Sequence, residues 1–281
     1  MMRILTPLLG NAQKLDGGAM FGNAPKSMWN RWVDCDENNR IPLTCRSLLV
    51  REHGRNILFE VGIGAFFNPL YKERYGVLES NHVLLDSLAA QGLTHEDIDA
   101  VVLSHLHFDH AGGLLAAYEE GEPLQLLFPN AVFVTSKEGF LRAKSPHPRD
   151  KASFIPQLPA LLEHTGRLVL VEEKTSAVLG EGFSFSYSQG HTPGLLMSWI
   201  ETSEGPVVYA SDLIPGKAWV HTSLTMGYDR FAEKVVEEKH ILLEEIHARH
   251  GWVFFTHDPV CAMARVKKDI HGKWTVSEDV C

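Results

Sequence analysis

Residues 100–113 read Ala-Val-Val-Leu-Ser-His105-Leu-His107-Phe-Asp109-His110-Ala-Gly112-Gly113. An apolar run of strand type leads straight into three histidines and an aspartate. Side chains alternate faces along an extended segment, so His105 and His107 share a face and can bind one metal ion together. A turn after His107 lets Asp109 and His110 face a second ion. Gly112 and Gly113 suit a tight turn or a close approach by other backbone. Imidazole nitrogen with carboxylate oxygen is a ligand set for zinc, manganese, iron or cobalt. Such a cluster is expected by chance on the order of 10⁻² times or fewer per chain of this size, which favours a metal over a structural histidine cluster.

Outward from this stretch, apolar runs at 3–9, 43–50, 56–61, 131–135, 168–172, 183–188, 195–200, 206–210 and 252–256 read as strands. Residues 83–90 have helical periodicity, and Thr94–Asp97 resembles a capping box with Asp in place of Glu or Gln. Residues 153–164 read as a helix interrupted by Pro156 and Pro159. A long amphipathic helix is expected from Asp229 to His250, stopped by Gly251. Segment 11–42, rich in Gly, Asn and Pro, reads as a long loop or arm that covers a site or makes a dimer contact. Strands with helices between them, and metal-type residues just past strand ends, predict one layered α/β domain over 1–281.

Composition narrows the function. The chain has 281 residues, 44% of them hydrophobic, enough for a sizeable core. With 26 Lys and Arg against 35 Asp and Glu, the formal net charge is −9. That balance argues against nucleic acid and anionic membrane as partners. No apolar run reaches the length of a membrane span, and the start shows no signal-peptide pattern. The scattered Cys35, Cys45, Cys261 and Cys281 read as reduced thiols, so a cytoplasmic location is expected. The count of 15 His stands out, because His is the commonest metal ligand. His240, His247 and His250 fall on the long helix and read as surface residues.

The H-L-H-F-D-H-A-G-G motif resembles the signature of the metallo-β-lactamase superfamily, and later residues agree with it in order. Gly190-His191-Thr192-Pro193-Gly194 is similar to the family's third histidine ligand. Ser211-Asp212, at the end of an apolar strand, resembles its bridging aspartate, and Thr256-His257-Asp258 resembles its last histidine. The resemblance implies a four-layer αββα sandwich with two divalent metal ions, zinc first among the candidates. It implies that His105, His107 and His191 hold one metal, that Asp109, His110 and His257 hold the other, and that Asp212 bridges. A hydroxide shared by the two metals would be the nucleophile, and Asp109 would carry a proton to the leaving group.

Within the superfamily, the glutathione-thioester branch carries a helical C-terminal domain, whereas a short tail follows His257 here. The β-lactamases lack the bridging Asp, and flavo-diiron proteins replace a motif His by Glu. Leu15–Gly22, Val61–Gly64, Ser211–Pro215 and Met226–Asp229 are similar to N-acyl homoserine lactonases and methyl parathion hydrolase. That likeness implies a lactonase of quorum-quenching type acting on a small hydrophobic ester or lactone. Organophosphate or aryl-ester hydrolysis, and a non-catalytic signal-binding protein, are the alternatives. Two departures stand out. Glu60 takes the place of a usual Asp, and Pro215 sits where some lactonases have a Tyr; Tyr228, His221 and Tyr209 are the candidates to replace it. Met20, Phe21, Trp29, Trp32, Phe66, Phe67 and Trp219 are expected to line an acyl pocket or to be core.

Overall fold

The computed structural model of the chain describes residues 3–280. In chain order the strands are β1 (Ile4–Leu8), β2 (Gln13–Asp16), β3 (Arg40–Leu43), β4 (Ser47–Glu52), β5 (Arg55–Phe59), β6 (Ala100–Val102) and β7 (Val132–Ser136). They continue as β8 (Leu168–Val171), β9 (Phe183–Ser188), β10 (Leu195–Ile200), β11 (Val207–Tyr209), β12 (Trp252–Phe254), β13 (Met263–Lys268) and β14 (Trp274–Val280). The helices are α1 (Gly17–Phe21), α2 (Lys26–Trp29), α3 (Pro69–Arg74), α4 (Val83–Ala90), α5 (Phe108–Ala111), α6 (Lys137–Lys144), α7 (Leu158–His164) and α8 (Ala232–Ala248). The chain separates into two compact units, residues 3–13 with 44–180 and residues 14–43 with 181–280.

The first unit is built on a six-stranded sheet in the order β1-β4-β5-β6-β7-β8. Its first three strands are antiparallel, and β4 and β5 meet through His53 and Gly54, both at positive φ as a tight hairpin turn requires. From β5 to β8 the strands are parallel, with helices in the connections. The fully buried Ala-Val-Val of β6 is what an interior parallel strand demands. Leu84 and Leu88, one turn apart on α4, join Leu58, Val101, Phe133 and Phe140 in the core of this unit. The capping box at Thr94–Asp97 is present in both its bonds. The expected helix over 153–164 is shorter. A 3₁₀ turn at Lys151–Ser153 precedes it and α7 begins at Leu158, with Pro159 in the first turn where its missing N–H costs nothing.

The second unit carries a sheet in the order β14-β13-β12-β11-β10-β9, with β11 and β12 parallel and the other pairs antiparallel. The inner face of α8 presents Val235, Leu242, Leu243 and Ile246, spaced as an amphipathic helix requires, together with a buried Lys239. The reading of 11–42 as a loop is corrected. This stretch holds β2, α1, α2 and β3, and β2 pairs with β3 in a small two-stranded sheet. Asp16 caps α1 through the Ala19 N–H at 2.7 Å. Phe21 stacks between Trp29 and Trp219, with ring centroids 5.2 and 4.7 Å away, so Met20, Phe21 and Trp29 belong to the core of this unit. Cys35, Cys45 and Cys261 form no disulfide among the described residues, and Cys281 lies outside them. No helix among the described residues is long and apolar enough to cross a membrane.

Candidate metal centre

In the first unit the motif stretch leaves β6, stays extended through His107, then turns into α5. The turn is enforced by backbone contact. Gly113 donates its N–H to the Gly62 carbonyl at 2.9 Å, and a Cβ on Gly113 would sit 2.0 Å from the Val61 oxygen. His82 braces the same turn, with Nε2 2.9 Å from the Gly113 carbonyl. Burial holds the His82 imidazole below its ordinary pKa. It is therefore neutral and donates its one N–H to that carbonyl.

His105, His107, Asp109 and His110 are all buried. Glu60, just past β5 and in the left-handed region at φ 57°, reaches His110 Nδ1 with Oε2 at 2.8 Å. Its other oxygen takes the Ser104 hydroxyl, and Ser104 Oγ lies 2.8 Å from His105 Nδ1. One carboxylate thus orients two imidazoles by their Nδ1 atoms, which turns each Nε2 toward the role of metal donor. Glu60, His105 and His110 each bring a potential ligand atom within 4.8 Å of the others. The longer side chain of Glu60 does the orienting expected of the usual Asp. Gln13 Nε2 donates to Asp109 Oδ2 at 2.9 Å, and the Phe154 ring packs against His107 at 4.7 Å.

In the second unit the ligand candidates converge because of strand order. Asp212 and His257 follow the carboxyl ends of the parallel neighbours β11 and β12. His191 lies in the β9–β10 turn, at the same edge, because β10 runs antiparallel to β11. Asp212 offers Oδ2 to His191 Nε2 at 3.3 Å and Oδ1 to His257 Nε2 at 3.2 Å. Asp229 Oδ1 lies 2.9 Å from His191 Nδ1, and its Oδ2 accepts the Met226 N–H at 2.7 Å. Asp229 is expected at the start of the long helix. It is instead the orienting partner of His191, and α8 begins at Ala232. Two carboxylates around one histidine, and one carboxylate shared by two histidines, make a donor set that suits divalent cations.

Other candidates fall elsewhere. Tyr209 is buried and stacks on Phe254 at 5.0 Å, which makes it a core residue. His240, His247 and His250 are exposed, as expected, although His247 Nδ1 lies 3.0 Å from the Val266 carbonyl of β13 and His250 follows the end of α8. Phe66 is buried in the core of the first unit, and Phe67 lines a cleft of about 340 Å³ there. Phe21, Trp32 and Trp219 line a separate cavity of about 470 Å³ in the second unit, with His221 and Asp258 on its wall. Of the two expected readings for Met20 and Trp29, acyl pocket or core, the core is the one observed, since both are buried in the core of this unit.

The sequence profile of the metallo-beta-lactamase superfamily matches residues 40–257. A probable metal-dependent hydrolase from Staphylococcus aureus superposes with a TM-score of 0.86 at 26% identity, over 99% of this chain and 98% of that one. AidC, a dizinc quorum-quenching lactonase in complex with its N-hexanoyl-homoserine product, superposes with a TM-score of 0.79 at 21% identity, over 99% and 95%. Among curated proteins, the Gag-Pro polyprotein of Human T-cell leukemia virus 2 is 27% identical over 161 residues, 56% of this chain and 23% of the polyprotein. The chain spans less than two thirds of the length of each curated relative it matches.

Proposed function

The chain belongs to the metallo-beta-lactamase superfamily, and we propose that it is a metal-dependent hydrolase that holds two metal ions and opens the lactone ring of N-acyl homoserine lactones. The superfamily match runs unbroken through both units, which supports reading them as halves of one catalytic domain. In this reading His105, His107 and His191 hold one metal, Asp109, His110 and His257 hold the second, and Asp212 serves both. The observation that carries it is Asp212, whose two oxygens face two different histidines at 3.3 and 3.2 Å. Zinc is the first candidate for the ions, on the chemistry of a His and carboxylate donor set.

Divalent metals at such a site supply a water made acidic enough to act near neutral pH and a Lewis acid for the carbonyl. The side chains of this protein would do the rest. Glu60 and Asp229 fix imidazole orientation through Nδ1. Asp109, its Oδ2 steadied by the Gln13 amide, is the group placed to take up a proton and pass it to the alkoxide of the opened ring. The aromatic cavity beside Asp258, the residue after His257, supports an apolar acyl group as the part of the substrate bound away from the reacting bond.

The test is a substrate panel on protein loaded with two zinc equivalents. Ring opening followed by proton release should be rapid for N-hexanoyl and N-decanoyl homoserine lactones. Hydrolysis of an aryl phosphotriester, with every lactone left intact, would overturn the lactonase reading and select the organophosphate alternative.

A further inference from the structure

The loop that delivers His191 is tied to the side of α8 by one carboxylate. Glu238 Oε1 accepts the Gln189 N–H at 2.8 Å. Its Oε2 accepts the Ser188 hydroxyl at 2.5 Å and the Gly190 N–H at 3.2 Å. Three donors on one half-buried carboxylate form a charge-assisted clamp on three consecutive residues. The fit against the helix is close. A Cβ on Gly190 would lie 2.5 Å from Val235 Cγ2, 2.7 Å from the Val235 nitrogen and 2.9 Å from Glu238 Oε2. Beyond the loop, the N–H groups of Arg230 and Phe231 donate to the His191 and Gly190 carbonyls at 3.1 and 2.9 Å.

The backbone of His191 is therefore gripped from α8 and its lead-in segment, while Asp229 grips the ring. We propose that Glu238 is a positioning residue for His191. It sets where the imidazole stands without touching metal or substrate, and so tunes the affinity of the metal that His191 holds. This rests on the reading of His191 as a metal ligand.

Glu238→Ala removes the acceptor for all three donors, and Glu238→Gln keeps one oxygen to accept while its amide nitrogen cannot. Glu237→Ala, on the exposed face of the same helix, is the control. The readouts are zinc retention against a chelator, the visible spectrum of the cobalt-substituted protein, and the melting temperature of the metal-free protein. Loss of a group that holds a ligand in place costs about tenfold or more in metal affinity. Glu238→Ala should weaken one of the two metals by about that factor and alter the cobalt spectrum, with Glu238→Gln intermediate and Glu237→Ala unchanged. A metal-free melting temperature that falls while affinity and spectrum stay at wild type would make Glu238 merely structural and overturn the proposal. His191→Ala separates the two failures. If that variant keeps both metals, the ligand reading is wrong; if it loses one and Glu238→Ala loses none, only the positioning claim is wrong. Should Glu238→Ala fail to fold, Glu238→Gln decides on the same readouts.

Discussion

Asp212 and Asp229 divide the work around His191, one at Nε2 and the other at Nδ1. A carboxylate facing two histidines loses half its coordinating capacity when one oxygen becomes an amide nitrogen. Asp212→Asn is expected to release one metal and to lower turnover by on the order of a hundredfold or more, with the circular dichroism of the folded protein retained. Full metal content and activity in that variant would reduce Asp212 to an ordinary strand-end residue. Asp229→Asn and Glu60→Gln act one bond further out, on imidazole orientation. Each is expected to weaken metal binding about tenfold to a hundredfold, measured by competition with a chromogenic chelator. His110 and Glu60 are 50 residues apart, His191 and Asp229 are 38 apart, and Gln13 and Asp109 are 96 apart. The ligands themselves sit in short local motifs and are legible in sequence. Their orienting partners depend on long-range packing; Glu60 and Asp229 stand in stretches that the sequence singles out, but nothing local shows which imidazole each one meets.

Among the elements, α8 combines several roles. Its Glu238 holds the His191 loop, and its buried Lys239 donates to the Leu224 carbonyl at 2.5 Å. Burial pushes the Lys239 ammonium down to about 7, against a nearby Asp229 that raises it. The unfolded chain keeps an ordinary lysine, so between about 7 and about 10.5 it binds more protons than the folded one. Stability should rise with pH across that window, and the gain should be lost as pH falls back through about 7. In melting curves at pH 7 and 9, wild type should gain relative to Lys239→Met. The variant itself should be less stable overall, because the Leu224 carbonyl loses its donor. Parallel curves for the two proteins would mean that Lys239 does not titrate there. The periodicity of α8 marked its existence but not its start, since Asp229 looks like a cap and is engaged by His191 instead. The elements within 11–42 were hidden for a different reason. They are four or five residues long, and their aromatic residues signal burial only once Trp219, some 190 positions on, is packed beside them. The charged β13 and β14 had too little alternation to read as strands.

At the scale of the whole chain, a net charge of −9 and an aromatic cavity fit an uncharged, partly apolar substrate better than a polyanion. Trp32, 42% exposed at the rim of that cavity, is the side chain most open to an acyl tail. Each methylene buried is worth about 0.8 kcal/mol, close to a factor of four in kcat/KM. Longer acyl homoserine lactones should gain by about that step until the cavity is full, and Trp32→Ala should flatten the series. Equal rates from butanoyl to decanoyl would remove the acyl-pocket assignment. Anomalous scattering from crystals of the zinc-loaded protein would locate the metals of the proposed two-metal centre. Two peaks per chain are expected, one touched by His105, His107 and His191, the other by Asp109, His110 and His257, with Asp212 on both. A single peak held by His105, His107 and His191 alone would contradict the two-metal centre.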